Sequence, residues 1–497
     1  MNLYIIFIVT FLNFYVNGEL TNRLTMVRGR PNGMFGMVRP PVPDPDEVLK
    51  EIKPQYYDQR LNHLDAKDNR TFKQIYYTDD SHYKSGGPVF VYIEGEANAS
   101  PEWITSSASY VVQSAKQFNA FLVLLEHRYY GESQPFNDTT VEHLKYLSSE
   151  QALADTAEIL QYLTKKLSLS GKVVVFGGSY AGSLAAWFRE KYPNIAVGAI
   201  ASSAPVLAEV EKYPNIAVGA IASSAPVLAE VDFKEYFGVV SDSLGTECSQ
   251  NIREATQALD ELLTTPEGVK KVRQMLNLCD TFNGTDSLDV AYLTFTLSVT
   301  IGAAVQHNAG IDGICRTMND SSVGTPLQRY AKVNGLPGYN CSDIKFTDMV
   351  KSLDHTIKIG VGARQWFYQM CTEFGYFWTT NVKDCIFGHN VPVHFYNQIC
   401  NDVFGSQITP QTIQKAVDTT NTYYGGRQPN VTNVVFPNGS LDPYHALGVL
   451  HDLNNSTKAV MISGQAHGAD MIYSANETQS LRDAHNLITN ELQEFLK

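Results

Sequence analysis

The chain is poor in the signatures that announce most enzyme chemistries. It has no H-E-x-x-H pair for zinc, no phosphate-cradling G-x-x-x-x-G-K-[ST] loop and no dinucleotide-type G-x-G-x-x-G between a strand and a helix. It has no excess of basic charge: 38 Lys and Arg face 51 Asp and Glu, a net charge of −13. A protein that neutralises phosphates needs a basic surface, so nucleic acid is excluded as the main partner. Cysteine is scarce, and none of the seven shows C-x-x-C metal spacing. Disulfides are therefore expected rather than a metal centre, and no cofactor is called for. Seven thiols leave 105 ways of making three pairs and one leftover, since seven choices of the odd thiol multiply fifteen pairings. Beyond the N-terminus no apolar run reads as long enough to cross a bilayer, so no membrane partner is expected.

What is present points to export. Residues 1–18, M-N-L-Y-I-I-F-I-V-T-F-L-N-F-Y-V-N-G, read as a signal peptide with a weak basic start. Eleven N-x-[ST] sequons follow, which matter only in the secretory pathway. The glycosylation candidates are Asn69, Asn137, Asn283, Asn319, Asn340, Asn430, Asn454, Asn455 and Asn476. Asn98, whose motif runs into Pro101, and Asn438, in a candidate active-site loop, are expected to stay bare. Secreted or lysosomal localisation follows.

Residues 19–51 are rich in Pro, Gly and Arg and read as a flexible leader or pro-segment. Over 52–234 apolar strand-like runs (87–96, 120–133, 172–176) alternate with a helical pattern at 148–163, where Ser148 or Ser149 can cap. Alternation of this kind implies a parallel sheet with helices on its faces. Residues 235–425 hold all seven cysteines and long helical stretches, and read as a helical insertion. Strand signals return in 426–497. An α/β domain interrupted by a mostly helical, disulfide-containing cap accounts for this order.

Within the first part stands F-G-G-S-Y-A-G, 176–182. A β-branched strand enters a tight turn at Ser179 and leaves as a helix that Pro193 stops. Strand, turn, helix is the setting of a nucleophile elbow, although Ala181 replaces the second glycine of G-x-S-x-G. The Tyr180 N–H would form half of an oxyanion hole and Gly95, in E-G-E, the other half. A serine needs a base, and the base an orienting acid. Asp442 in N-G-S-L-D-P-Y-H and His467 in S-G-Q-A-H-G-A-D-M each follow a strand, in the chain order Ser, Asp, His. His445 is too close to Asp442 in sequence to be held across from Ser179 by a separate loop. E-H-R-Y-Y-G-E-S (126–133) reads either as a support for this site or as salt-bridged structure.

At these stretches the chain resembles the serine peptidases that include prolyl carboxypeptidase, dipeptidyl peptidase II and thymus-specific serine protease, most of all the thymus-specific branch. E-H-R-Y-Y-G-E-S, F-G-G-S-Y-A-G-S-L-A-A-W-F-R-E-K-Y-P, A-S-S-A-P-V, Q-M-C-T-E-F-G-Y-F, N-G-S-L-D-P and G-Q-A-H-G-A-D-M carry the resemblance, in family order. It implies an α/β-hydrolase with a capping insertion and a Ser179–Asp442–His467 triad. It also implies exopeptidase action on peptides after proline or a small residue, often at acidic pH, and is compatible with a homodimer. It does not choose the peptide end. Glu94 and Glu96 are candidates to bind a peptide's amino terminus. Two other readings are an esterase on the same fold and an inactive secreted binding protein.

The second reading draws on a duplication. E-K-Y-P-N-I-A-V-G-A-I-A-S-S-A-P-V-L-A-E-V occupies 190–210 and recurs unchanged as 211–231. One copy should supply the next parallel strand. The other cannot add a parallel neighbour, because a crossover needs a dozen or more residues. It must loop out, pair antiparallel or compete for the same slot. Its origin is either a gene-assembly artefact or a recent duplication.

Overall fold

The computed structural model describes residues 38–192, 218–335, 341–356 and 362–497, together with the short strands Met26–Val27 and Arg30–Pro31. The predicted signal peptide, the sequon at Asn340 and most of the first repeat copy lie outside the described residues. Clustering of backbone contacts gives two units.

The larger unit comprises residues 34–236, 350–378 and 396–497. Its main sheet is built from β1 (Gln55–Arg60), β2 (Thr71–Asp79), β3 (Val89–Ile93), β4 (Phe121–Leu125), β5 (Val173–Gly178), β6 (Gly219–Ser223), β7 (Val434–Gly439) and β8 (Thr457–Ile462). They form one sheet in the order β8-β7-β6-β5-β3-β4-β2-β1. β2 pairs antiparallel with β1 and β4, and every other pairing is parallel. This strand order is that of an α/β-hydrolase, as the resemblance implied. Strands β3 to β7 are buried at every position, because helices cover both faces. Their sequences accordingly run V-F-V-Y-I and F-L-V-L-L rather than alternating.

Helix α1 (Tyr110–Phe118) and the C-terminal helix α6 (Gln479–Phe495) contribute to the core over one face. There Val111, Ile488, Leu492 and Phe495 pack with Phe90, Leu122, Val174 and Ile221. Helix α2 (Ser149–Lys166) starts where its cap predicts, with Ser148 accepting from the Gln151 N–H. Helix α3 (Tyr180–Lys191) leaves the turn at Ser179. A disulfide joins Cys371 and Cys400 within this unit.

Strand β6 is built from the second repeat copy, as G-A-I-A-S, and pairs with β5 and β7. Between Tyr192 at the end of α3 and Gly219 lie 26 residues, and deleting one copy leaves five. Helix-to-strand connections in α/β units usually take two to six. A chain shortened by 21 residues, the same sequence whichever copy goes, is therefore expected to fold with β6 in place. Calorimetry should give a melting temperature no lower than that of the full chain, with Ser179 still reactive; a lower one would mean that the first copy contributes to the native fold.

The second unit is mainly helical over its described residues within 237–349 and 379–395. It contains α4 (Thr246–Leu263) and α5 (Ser287–Gln306). Disulfides join Cys248 to Cys315 and Cys279 to Cys341, and Cys385 is buried and unpaired. Residues 350–378 and 396–425, read from sequence as part of the insertion, cluster with the sheet unit instead. Helix α5 also corrects the reading that no further apolar run could span a bilayer. Its most apolar 18-residue stretch has a mean hydropathy of 1.6, yet 78% of that stretch is buried. A helix apolar on all sides and covered by protein is a core helix.

Candidate active site

Ser179 stands where β5 ends and α3 begins, with φ 59° and ψ −130°. Left-handed φ at a serine costs energy and persists only where surrounding structure enforces it. The surroundings here are close. The Ser179 N–H donates to the Ser223 carbonyl at 2.9 Å, tying the turn to the end of β6. A Cβ at Gly177 would collide with the Ala181 carbonyl, and one at Gly182 would lie 2.6 Å from the Ser223 carbonyl oxygen. Helix and strand can approach this closely because both positions are glycine. Ser179 is 3% exposed.

Asp442 and His467 follow the two strands beyond β6. Asp442 comes after β7 and caps a short 3₁₀ turn, its Oδ1 accepting from the Tyr444 N–H at 2.9 Å. Its Oδ2 lies 2.8 Å from His467 Nδ1, and both side chains are fully buried. His467 follows β8, and its loop is pinned where the Gly468 N–H donates to Ser224 Oγ at 2.9 Å. The Asp442 contact claims Nδ1, which leaves Nε2 for other chemistry.

Gly95 also borders the nucleophile turn: a Cβ placed there would lie 3.3 Å from the Ala181 nitrogen and 3.4 Å from Tyr180 Cδ1. Glu94 and Glu96 are both buried. Burial pushes the Glu94 carboxyl up to about 8, against the N–H groups of Ser100 and Gly95 that draw it down.

Two groups of residues were missed in sequence. One is a buried relay beneath Tyr180. His127 Nδ1 lies 2.7 Å from the Arg128 carbonyl, and burial lowers its pKa to about 4, so the ring is neutral and Nδ1 donates. Nε2 must then accept, and Tyr180 Oη donates to it at 3.1 Å. Tyr180 Oη in turn accepts from Gln369 Nε2 at 2.9 Å, and Gln369 Oε1 accepts from Tyr130 at 2.7 Å. Gln369 also reaches Glu373, which accepts from Ser149. The motif 126–133 thus supports the residue after Ser179. It is salt-bridged as well, with fully buried Arg128 holding Asp155 through two bonds of 2.7 and 2.6 Å.

The other is Asp470, three residues past His467, whose Oδ1 accepts from Ser223 Oγ at 2.6 Å. Burial raises its pKa to about 6, Ser223 and His485 pulling the other way. Asp470 and Glu94 therefore hold protons in the folded chain at pH values where the unfolded chain has lost them. Stability contributed this way is complete below the unfolded pKa, near 4, and falls as pH rises to about 6 for Asp470 and about 8 for Glu94. Each group costs up to about 1.4 kcal/mol per pH unit within its window. The protein is expected to melt several degrees higher at about pH 5 than at about pH 8 by calorimetry. A midpoint that rises with pH would contradict the burial of these acids.

Eight of the nine glycosylation candidates fall on described residues, all exposed. Asn98 is exposed too. Asn438 is 2% exposed and donates to the Phe436 and Val449 carbonyls at 3.0 and 2.9 Å.

A family described as Serine carboxypeptidase S28 matches residues 59–211 and 210–488. The match breaks where the two repeat copies meet. A putative serine protease of Caenorhabditis elegans is 34% identical, covering 97% of this chain and 95% of its own. The thymus-specific serine protease of Mus musculus is 34% identical over 90% and 88%. The lysosomal Pro-X carboxypeptidase of Homo sapiens is 30% identical over 85% and 84%.

Proposed function

Since this chain belongs to the serine carboxypeptidase S28 family and is a serine-type peptidase, we propose that it is a secreted or lysosomal exopeptidase that cuts after proline or a small residue, using Ser179, His467 and Asp442. The observation that carries the reading is the buried 2.8 Å Asp442–His467 pair on the strands beyond the one that carries Ser179. His467 Nε2 takes the Ser179 proton as Oγ attacks the scissile carbonyl carbon. Asp442 holds the opposite proton on Nδ1 and stabilises the imidazolium. The tetrahedral oxyanion meets the Tyr180 N–H at the positive end of α3, with a second donor from the Gly95 loop. Collapse breaks the C–N bond, and the imidazolium hands its proton to the leaving amine. Water then repeats the sequence on the acyl-serine, freeing the acid.

Glu94 and Glu96 bind the substrate's amino terminus in this reading, which favours release of dipeptides. A bound ammonium would draw the raised Glu94 pKa down, so binding and ionisation reinforce each other. Neutralising both residues should then abolish dipeptide release.

The test pairs fluorophosphonate labelling with product analysis. Mass spectrometry should place the probe on Ser179, and proline-containing peptides should turn over far faster than simple esters. Unlabelled Ser179 in folded protein would leave an inactive binding protein. Labelled protein that hydrolyses only esters would leave the esterase.

A further inference from the structure

The segment read from sequence as a flexible leader is fixed to the sheet unit over its second half. Pro41 is buried, and Ile52 packs on the hydrophobic core. Between them, Glu47 accepts from the Ser107 N–H at 2.6 Å and from Ser106 Oγ at 3.1 Å. Lys50 Nζ donates to Asp79 at 2.6 Å, Asp80 at 3.2 Å and Ser81 Oγ at 3.0 Å. Residues 38–45 contain four prolines, at 40, 41, 43 and 45. Such a stretch is stiff and extended and loses little entropy when held.

The front of this strap is Val38, also partly buried against the core. A Cβ on Gly178 would lie 2.6 Å from Val38 Cγ2, and one on Gly468 would lie 2.5 Å from Val38 Cγ1. Gly178 precedes Ser179 and Gly468 follows His467. One isopropyl group therefore fills the notch left by two glycines, each adjoining a reacting group of the proposed mechanism. Any side chain at either glycine would displace it.

We propose that this strap is the end-stop of the catalytic cleft, with Val38 as the residue that ends it. A peptide lying across Ser179 must continue on both sides of the scissile bond to be cut internally. With this wall in place, a peptide has no room to continue beyond a short end on the side that Val38 occupies. Exopeptidase specificity then comes from the chain's own N-terminal segment. The strap's footing suits a fixed wall: a carboxylate and an ammonium each bonded more than once, and apolar anchors on the core. The inference rests on the exopeptidase reading and on Ser179 and His467 as its reacting groups.

The test uses the full chain and a nested series of synthetic peptides, each with one proline set progressively farther from both termini. Products are identified by mass spectrometry, and fluorophosphonate labelling of Ser179 is followed in parallel. The unaltered protein should release short terminal fragments only. Val38→Gly should raise the ratio of internal to terminal cleavage at least tenfold. Val38→Phe should slow both labelling and cleavage of the shortest peptides. Glu47→Gln with Lys50→Met, which loosens the strap without touching Val38, should also shift the ratio towards internal cleavage. Should Val38→Gly fail to label, Val38→Ala carries the same expectation with less loss of packing. Variants that label normally but still release only terminal fragments would overturn the end-stop. Internal cleavage by the unaltered protein would instead overturn the exopeptidase reading, a separate failure.

Discussion

Replacing Ser179 with alanine is expected to lower kcat by about six orders of magnitude while leaving the fold intact. The size follows from the unit Ser179 would form with His467 and Asp442. Without the hydroxyl there is no acyl-enzyme, and water must attack a carbonyl polarised only by the backbone amides. The fold should survive because the anchors of the turn are not side-chain atoms. The Ser179 N–H that bonds the Ser223 carbonyl remains, and so do the glycines that allow strand and helix to meet. Alanine tolerates φ 59° no better than serine, but no worse by more than a fraction of a kcal/mol. Steady-state turnover of a proline peptide and calorimetry of the same preparation check both halves. A loss below about a hundredfold would move the nucleophile to another residue.

Local structure is legible in the sequence where it depends on neighbours in the chain. K-V-V-V-F running into G-G-S-Y-A-G announced strand, turn and helix, and each formed as expected. The Ser148 cap was equally legible, since a cap is settled within four residues. Asp442 and His467 each follow a strand signal, and the fold brings their side chains to 2.8 Å of each other. The failures were non-local. Val38 meets Gly178 and Gly468 across 140 and 430 residues of chain, and a proline-rich stretch shows nothing of where it docks. The relay beneath Tyr180 joins His127, Gln369 and Glu373, which only the fold brings together. Helix α5 escaped notice because Ser and Thr interrupt its apolar run; both types can return their hydroxyls to the helix backbone, as Thr296 and Ser298 do. The three disulfides select one of 105 pairings by spatial proximity alone.

Asp442→Asn asks whether the buried pair orients the imidazole. The substitution keeps the shape and keeps the Oδ1 acceptor for the Tyr444 N–H, so the turn after β7 should hold. It replaces the atom 2.8 Å from His467 Nδ1 with an amide that donates. Nδ1 must then accept, the ring proton moves to Nε2, and Nε2 faces Ser179 with a hydrogen where the mechanism needs a lone pair. A loss of about 10⁴ in kcat is expected from this wrong tautomer. The same change removes the negative charge that would stabilise the imidazolium, and both effects act only if Ser179 gives its proton to His467. The double variant Ser179→Ala, Asp442→Asn should therefore be no slower than Ser179→Ala alone, since an orienting group has nothing to orient once the nucleophile is gone. Rates that multiply instead would show Asp442 acting on substrate by another route. A single variant within tenfold of the unaltered protein would mean that His467 takes its orientation from its loop, through the Gly468–Ser224 contact, and not from the acid.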